Sequence, residues 1–236
     1  MSSFPHSSRR LCWLALVLVL MAALALSIDV YAAKQWQQYP QKGLAYSAAI
    51  LSESFGHGLG VGWILLTVAT LDPLNRRKAV PLAVLAFGSG LFANVFKLAV
   101  QRWRPLHFRG GNSVWDTFAG WPIAGESYSP LERLGKEIQS FPSAHVATAT
   151  GLAIGLTMIY PRGRWLFISG AIMVALQRQA VRAHFTSDTL VGAAVGCLWG
   201  AIWLHPRLLG LAFTGHSDEA TSTSSVTISS DAVLAS

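Results

Sequence analysis

The chain is poor in charged side chains and in cysteine. Only 12% of its 236 residues are charged, whereas a typical soluble domain carries about 25%. Hydrophobic residues make up 52%, and the nine Trp and 21 Gly are typical of spanning helices and their interfaces. This balance excludes an ordinary soluble domain and predicts a membrane protein.

The sequence also lacks a cysteine framework and a nucleic-acid-binding motif. Cys12 and Cys197 lie far apart within apolar stretches, so we expect two small buried hydrophobic side chains rather than a disulfide or a metal site. The net charge of +7 comes without a basic run. It therefore favours an anionic lipid surface or an anionic substrate over nucleic acid.

Six apolar stretches approach the roughly 20 residues that a spanning helix needs. They are Leu11 to about Tyr31, Phe55 to Leu71, Ala79 to Ala99, Ser143 to Tyr160, Trp165 to about Ala183, and Thr189 to Leu204. We therefore predict an all-α, polytopic membrane protein with six transmembrane helices. Residues 1–214 form the predicted domain, and the Ser- and Thr-rich tail 215–236 is predicted to be disordered.

Basic residues predict the orientation in the membrane. They occur at Arg9 and Arg10, at Arg76 to Lys78, and at Arg162 and Arg164, all on one side of the six predicted spans. Excess Lys and Arg mark the cytoplasmic side, so both termini are predicted to be cytoplasmic. A cleaved secretory signal is an alternative for the first span, but its length favours an uncleaved anchor. Three polar clusters then share the outer, periplasmic face.

The first cluster, residues 97–105, contains two cations followed by proline. Lys97 and Arg104 are seven residues apart, which is nearly two helical turns, so a continuous helix would place both on one face. Two aligned cations could clamp a multiply charged anion. The alternative is that both side chains snorkel toward lipid headgroups.

The second cluster, residues 140–145, predicts a helix start with an anion site. Ser140 is a candidate N-cap and Pro142 fits a first turn. The amides of Ser143, Ala144 and His145 would then be free to bind an anion. His145 can exchange a proton near neutral pH. The alternative is an ordinary capped helix start with an interfacial histidine.

The third cluster, residues 177–188, contains Arg178, His184 and Asp188. If the segment is helical, Asp188 can accept the Nδ1 proton of His184 and leave Nε2 free as a nucleophile. Asp188 could also cap the last helix, which is compatible with that role. A metal site of His145, His184 and Asp188 is a further alternative, but it lacks the additional carboxylate or Cys ligands of a dedicated site.

The order and internal spacing of the clusters resemble the three signature motifs of the type 2 phosphatidic acid phosphatase superfamily. The matching elements are Lys-x6-Arg-Pro from Lys97, Pro-Ser-x-His ending at His145, and Arg-x5-His-x3-Asp ending at Asp188. Membrane members of that superfamily have six spanning helices and a site at the outer face. Ala144 and Gln177 depart from the pattern, since relatives usually have Gly and Ser there.

The resemblance implies a role for each matched residue. His184 is expected to attack phosphorus and form a phosphohistidine, with Asp188 orienting it. His145 is expected to protonate the leaving oxygen and then activate water. The phosphate is expected to bind to Lys97, Arg104, Arg178 and the backbone at Ser143 and Ala144, with no metal or other cofactor. These roles predict a metal-independent phosphatase acting in the lipid bilayer on a lipid phosphate or diphosphate, such as phosphatidic acid or undecaprenyl diphosphate.

Three other functions remain open at this stage. The same phosphohistidine would serve a lipid phosphotransferase, a vanadate-dependent haloperoxidase shares the anion pocket, and a silent membrane binding protein would use the pocket without turnover. Outside the motifs, Glu53 and His57 are four residues apart and predict a substrate contact or a structural hydrogen bond. Arg182 predicts a phosphate contact or a salt bridge. The aromatic residues between Leu106 and Gln139 predict a lid or an interfacial belt.

Overall fold

The computed structural model describes residues 6–38, 42–108, 110–120, 135–205, 208–209 and 213. Over these ranges the fold is mostly helical, as predicted. The helices are α1 (His6–Ala25), α2 (Asp29–Gln38), α3 (Leu44–Ser52), α4 (Gly58–Leu71), α5 (Ala79–Ala99), α6 (Ala144–Ile159), α7 (Arg164–Ala180) and α8 (Thr186–Trp203). The tail 215–236 lies outside the described residues.

Short elements connect these helices. Single 3₁₀ turns occur at Glu53–Phe55, Arg76–Lys78, Val114–Thr117, Lys136–Ile138 and Pro161–Gly163. Strands β1 (Gln101–Arg102) and β2 (Phe118–Gly120) form a small antiparallel ribbon after α5. This ribbon is the exception to the all-α prediction.

Helix α6 lies at the centre of the packing. It contacts α5, α7 and α8, while α1 packs against α8. Leu82 and Leu85 of α5 pack with Leu152 of α6 in the core. A Cβ on Gly151 would lie 2.2 Å from the Leu85 carbonyl oxygen, so glycine is needed for this close approach of α5 and α6. The close contact fixes the position of α5 relative to α6.

The structure contains two to three candidate membrane spans by length and composition among the described residues. Ser7–Ala25 and Arg76–Ala99 qualify alone, and Tyr46–Phe55 with Gly58–Leu71 qualifies as a pair bent by 63°. Helices α6, α7 and α8 have 16, 17 and 18 residues, slightly short of the usual span of roughly 20. The chain is a membrane protein with apolar helices, and the predicted count of six spans is not reproduced by this criterion.

The first predicted span, Leu11 to about Tyr31, is wrong at its C-terminal end. Helix α1 ends at Ala25 and α2 begins at Asp29, whose side chain is fully buried. The helix breaks there because Asp29 forms an ion pair with Arg102 inside the protein. The expectation that both cysteines are buried is also wrong for Cys12, which is exposed on α1, whereas Cys197 is buried.

The other predicted boundaries differ less from the structure. Ala79–Ala99 matches α5 at both ends. The span from Phe55 instead begins at Gly58, after the sharp bend between α3 and α4. Helix α7 ends at Ala180 rather than near Ala183 because the chain turns at Arg182, which has a left-handed φ of 56°.

Candidate active site

The three polar clusters come together where α5 ends, α6 begins, α7 ends and α8 begins. Lys97 lies close enough to Arg104, Arg178 and Asp188 to interact with them electrostatically. His145 interacts in the same way with Arg178, His184 and Lys97. The structure therefore brings together the charged and titratable residues that the sequence singled out.

The backbone of the first cluster differs from the prediction. Lys97 lies in the last turn of α5 and is buried, but the helix ends at Ala99 and Val100 is extended. The prediction of a shared helix face for Lys97 and Arg104 is therefore wrong. The chain leaves the helix because β1 pairs with β2. Arg104 follows β1, and its N–H donates to the Glu137 carbonyl at 2.8 Å.

The second cluster starts helix α6, but with different roles for its serines. Ser143, rather than Ser140, occupies the N-cap position. The Ser143 amide is not free, since it donates to the Asp188 carbonyl at 3.0 Å. Ala144 has helical backbone in the first turn, so replacing the usual glycine does not demand a positive φ. The amides of Ala144 and His145 lie in this turn, where a helix leaves N–H groups without intrahelical partners.

The imidazole of His184 is held by a backbone carbonyl. Its Nδ1 lies 2.6 Å from the carbonyl oxygen of Ser140. A carbonyl can only accept a hydrogen bond, so Nδ1 carries the proton and Nε2 has a free lone pair. Burial lowers the pKa of His184 to about 4, and the charges of Lys97 and Arg104 lower it further against the opposing effect of Asp188. The ring is therefore neutral near pH 7.

The expected direct hydrogen bond between His184 and Asp188 is not formed. Nδ1 lies 3.9 Å from the nearest carboxylate oxygen, which is too long for a hydrogen bond. His184 precedes α8, which begins at Thr186, so the two residues do not share a helical turn. Asp188 instead accepts a 2.6 Å bond from Ser140 Oγ and a 2.8 Å bond from the Phe185 amide. Asp188 thus fixes Ser140, and the Ser140 carbonyl fixes the His184 imidazole.

Two charged residues that sequence reasoning missed support Asp188. The Arg102 guanidinium lies 2.5 Å from Asp188 Oδ1 and 2.8 Å from Asp29 Oδ2. All three side chains are fully buried. An isolated carboxylate in an apolar stretch is a signal that could have drawn attention to Asp29. Nothing in the local sequence indicated its pairing with Arg102, which lies 73 residues away.

Arg178 is oriented by Glu53 and Gln177. Its Nη2 lies 3.0 Å from Glu53 Oε1, and its Nε donates to Gln177 Oε1 at 2.6 Å. Gln177 Nε2 in turn donates to Glu53 Oε2 at 3.0 Å. Gln177, which replaces the serine usual in relatives, therefore forms hydrogen bonds with both Glu53 and Arg178. Of the two alternatives for Glu53, the structure shows a hydrogen-bonded role.

The bend between α3 and α4 places this group beside His145. Glu53 Oε1 lies 3.8 Å from His145 Nε2. The ring of His57 lies 5.9 Å from the ring of His145, centroid to centroid, and His57 also caps α4 by accepting from the Leu59 amide. A Cβ on Gly56 would lie 2.5 Å from the His145 carbonyl oxygen, so the bend fits closely against α6.

Some buried polar atoms at the site have no protein partner. Within the part of the chain that the structure describes, Ser143 Oγ and Arg104 Nε are buried and make no hydrogen bond. Arg182 Nε shares this condition. Buried polar groups are usually satisfied, so such atoms beside cations are suited to an anionic ligand. Over the same described ranges, no three His, Cys, Asp or Glu side chains form a metal-binding group.

Some of the predicted loop aromatics take part in packing. Arg102 lies between the rings of Phe118 and Phe185, at 4.8 and 4.2 Å from their centroids. Phe108 packs edge-on against Phe185, while Trp115 is exposed. Trp121 and Tyr128 lie outside the described residues. One loop ring, Phe118, therefore covers the buried cation directly and Phe108 supports the Phe185 ring that also covers it, which neither the lid nor the belt alternative anticipated.

Comparisons with known proteins identify related chains. A lipid A 1-phosphatase of Rhizobium johnstonii is 35% identical over 108 residues, and one of Rhizobium etli is 34% identical over 108 residues. Each match covers 46% of this chain, but only 39% and 41% of the respective relatives. A decaprenylphosphoryl-5-phosphoribose phosphatase of Mycobacterium tuberculosis is 30% identical over 144 residues, 60% of this chain and 70% of that protein. No solved structure matches the chain significantly.

The family comparison confirms the resemblance seen in the motifs. The model of the PAP2 superfamily matches residues 78–208, which include all three clusters. The N-terminal helices and the bend at Glu53 lie outside that match. Since the match covers more than half of the chain and contains the whole Lys97 to Asp188 region, the chain belongs to the PAP2 superfamily.

Proposed function

We propose that the protein is a metal-independent phosphatase that hydrolyses a lipid phosphate or diphosphate through a phosphohistidine. The observation that carries the proposal is the neutral imidazole of His184. Its Nδ1 proton is held by the Ser140 carbonyl, and Lys97 and Arg104 lie within electrostatic range. A neutral ring with a free Nε2 is the form that can attack phosphorus.

The phosphate would bind among the cations before the attack. Lys97, Arg104 and Arg178 supply positive charge, and Ser143 Oγ and Arg104 Nε supply hydrogen-bonding groups that the protein itself leaves unused. The Ala144 amide adds a donor from the first turn of α6. Such preorganised donors stabilise the charge that develops on the equatorial oxygens during phosphoryl transfer.

The reaction would then proceed in two displacements. In the complex, the negative charge of the bound phosphate stabilises the protonated form of His145. Nε2 of His184 forms a bond to phosphorus while the bond from phosphorus to the leaving oxygen breaks, and protonated His145 donates its proton to that oxygen. His145 next removes a proton from water, the water oxygen attacks phosphorus, and the bond to Nε2 breaks. Inorganic phosphate leaves and His184 returns to its neutral form. Asp188 maintains the ring orientation through Ser140.

A lipid substrate is favoured by the surroundings of the site. A largely apolar cavity of about 740 Å³ is lined by residues of α3, α4, α6 and α7. Its lining includes Ser52 and Phe55, on either side of Glu53 in the sequence, together with Asp72 and Tyr160. It could hold a hydrocarbon chain while the headgroup lies near His145. The relatives named above also act, by their names, on a lipid A phosphate and on a decaprenyl-linked phosphoribose.

We further propose the six-span arrangement with the site at the outer, periplasmic face. Helices α1, α4, α5, α6, α7 and α8 would each cross the bilayer once, and residues 1–214 would form one domain. Asp29, His57, Lys97, His145, Arg178 and Asp188 lie at one end of these helices. Arg10, Arg76 and Arg164 lie at the other helix ends, where the positive-inside rule predicts the cytoplasm.

The test is phosphate release by the purified full chain in detergent micelles. A panel would contain phosphatidic acid, undecaprenyl diphosphate, a lipid A 1-phosphate and a prenylphosphoribose phosphate, each with excess EDTA. We expect release from at least one substrate, and none from it with His184→Ala. Transfer to an acceptor lipid without inorganic phosphate would instead identify a phosphotransferase. No reaction with any member, or loss of activity with EDTA, would contradict the proposal.

A further inference from the structure

We propose that Asp29 and Arg102 are positioning residues for the nucleophile, acting on His184 through Asp188 and Ser140. The inference rests on the proposed function of His184. It extends that function to the N-terminal helices, because Asp29 lies outside the region matched by the superfamily. The Asp29–Arg102–Asp188 triad (these three side chains) is the structural basis.

The triad joins three distant parts of the chain. Asp29 opens α2, Arg102 lies in β1 and Asp188 lies in the first turn of α8. The guanidinium contacts one carboxylate with each terminal nitrogen, and its Nε donates to Thr117 Oγ1 at 3.0 Å. Each nitrogen of the fork donates to at least one fixed partner, so the guanidinium cannot reorient without breaking a buried charged hydrogen bond.

Asp29 also fixes the turn that carries Asp188. Its Oδ1 accepts from the Ser187 amide at 3.0 Å, and its Oδ2 accepts from the Ser187 hydroxyl. Ser187 directly precedes Asp188 in the sequence. Asp29 thus restrains Asp188 in two ways, through Arg102 and through the neighbouring backbone.

The restraint passes from the triad to the imidazole through Ser140. Asp188 accepts the Ser140 hydroxyl, and the Arg102 carbonyl accepts the Ser140 amide at 3.0 Å. Both Arg102 and Asp188 therefore fix Ser140, whose own carbonyl holds Nδ1 of His184. A displacement of the triad would move that carbonyl and tilt the ring.

The triad also sets the charge behind the ring. Two carboxylates and one guanidinium leave one net negative charge, fully buried. The imidazole becomes positive as Nε2 bonds to phosphorus, and this negative charge stabilises it. Without Asp29 the remaining pair is neutral. Asp29 is therefore expected to affect the chemical step more than the binding of substrate, since it is separated from the ligand by the ring.

The test compares Asp29→Asn with the wild-type full chain in detergent, on a lipid phosphate that the wild type hydrolyses. Asparagine keeps the shape and loses the charge. We expect kcat to fall about 10- to 100-fold with KM changed less than about twofold. Asp29→Glu restores the charge and should recover part of kcat. Asp116→Asn is the matched control, because Asp116 is an exposed aspartate outside the triad that also accepts a hydrogen bond, from the Ser113 amide at 3.2 Å.

A second variant tests whether Asp29 acts through Arg102. Arg102→Lys keeps the cation, but one ammonium cannot replace the fork that contacts both carboxylates. We expect the same kinetic pattern, and the loss in the double variant should be smaller than the product of the two single losses. If the kcat loss in the double variant equals the product of the two single losses, Asp29 does not act through Arg102 and the proposed pathway is overturned.

Other outcomes separate the positioning role from a structural one. Unchanged kcat in folded Asp29→Asn would overturn the proposal, as would a loss of kcat that only follows the loss of folded protein in thermal unfolding. If Asp29→Asn does not fold, Asp29→Glu and Arg102→Lys are measured in the same way. A wild type without turnover on any lipid phosphate contradicts the phosphatase function, whereas an active wild type with an unaffected Asp29→Asn contradicts only the positioning role.

Discussion

The close fit of the α3–α4 bend against α6 leads to a specific prediction for Gly56. Its φ of −117° is accessible to any residue, so Gly56→Ala tests contact rather than backbone strain. The added Cβ would lie 2.5 Å from the His145 carbonyl oxygen and 3.0 Å from Val174 Cγ1. An ordinary contact begins near 3.4 Å. The bend and the first turn of α6 must therefore separate by about 0.9 Å, the difference between these two distances.

The expected effect follows from this displacement. Overpacking of this kind costs about 1–3 kcal/mol, which lowers the unfolding temperature by roughly 2–12 °C for a chain of this length. The shift also moves Glu53 relative to His145 and Arg178. A misplacement near 1 Å can cost about 100-fold in rate, so we expect kcat to fall about 10- to 100-fold. Phosphate release and thermal unfolding in the same detergent measure both effects.

Gly58→Ala is the matched control, since a Cβ at Gly58 meets nothing within 4 Å. Gly58 is the first residue of α4, where alanine is a better helix former than glycine. This control should keep wild-type kcat and should not lower the unfolding temperature. The reasoning is refuted if Gly56→Ala is as active and as stable as Gly58→Ala.

Two further predictions concern Glu53 and His184. Glu53→Gln loosens the group that orients Arg178, so we expect KM for the lipid phosphate to rise about 3- to 10-fold. Glu137→Gln is the control, since Glu137 is exposed, and it should leave KM unchanged. Equal KM values for the two variants would contradict the orienting role of Glu53. Burial lowers the pKa of His184 to about 4 from an ordinary 6.5. Between these two pH values His184 is protonated in the unfolded chain but not in the folded chain, so the free energy of unfolding decreases as the pH is lowered. When the pH is lowered from about 7 to about 4.5, the unfolding temperature of His184→Gln should therefore decrease less than that of the wild type. An equal decrease in both proteins would contradict a neutral, buried His184.

The sequence predicted the convergence of the clusters better than the local backbone. Lys97, His145, Arg178 and Asp188 lie at the ends of apolar stretches, and alternating helices bring those ends together. The order of the helices alone brings these ends together, so errors of several residues at each predicted boundary do not change which clusters meet. It is the reason that the residues of the site could be named without a structure.

The conformation at the helix ends could not be predicted in the same way. Helical spacing suggested direct pairing of His184 with Asp188 and a shared face for Lys97 and Arg104. In the structure both segments leave the helix. The chain turns at Arg182 before His184, and the first segment forms β1, where Arg102 enters a buried ion pair with Asp29 and Asp188. Such a pairing depends on residues far apart in sequence, and hydropathy contains no information on which partner a buried charge will find.

The charge balance explains how so many buried charges can be stable together. Burying isolated charges is costly, but paired and hydrogen-bonded charges are tolerated. Among the described residues of the site, the three carboxylates of Asp29, Glu53 and Asp188 offset three of four cations: Lys97, Arg102, Arg104 and Arg178. One positive charge remains, together with the unused Ser143 Oγ and Arg104 Nε. The carboxylates thus limit the repulsion among the cations, and the residual charge and unused polar atoms still favour an anion over water.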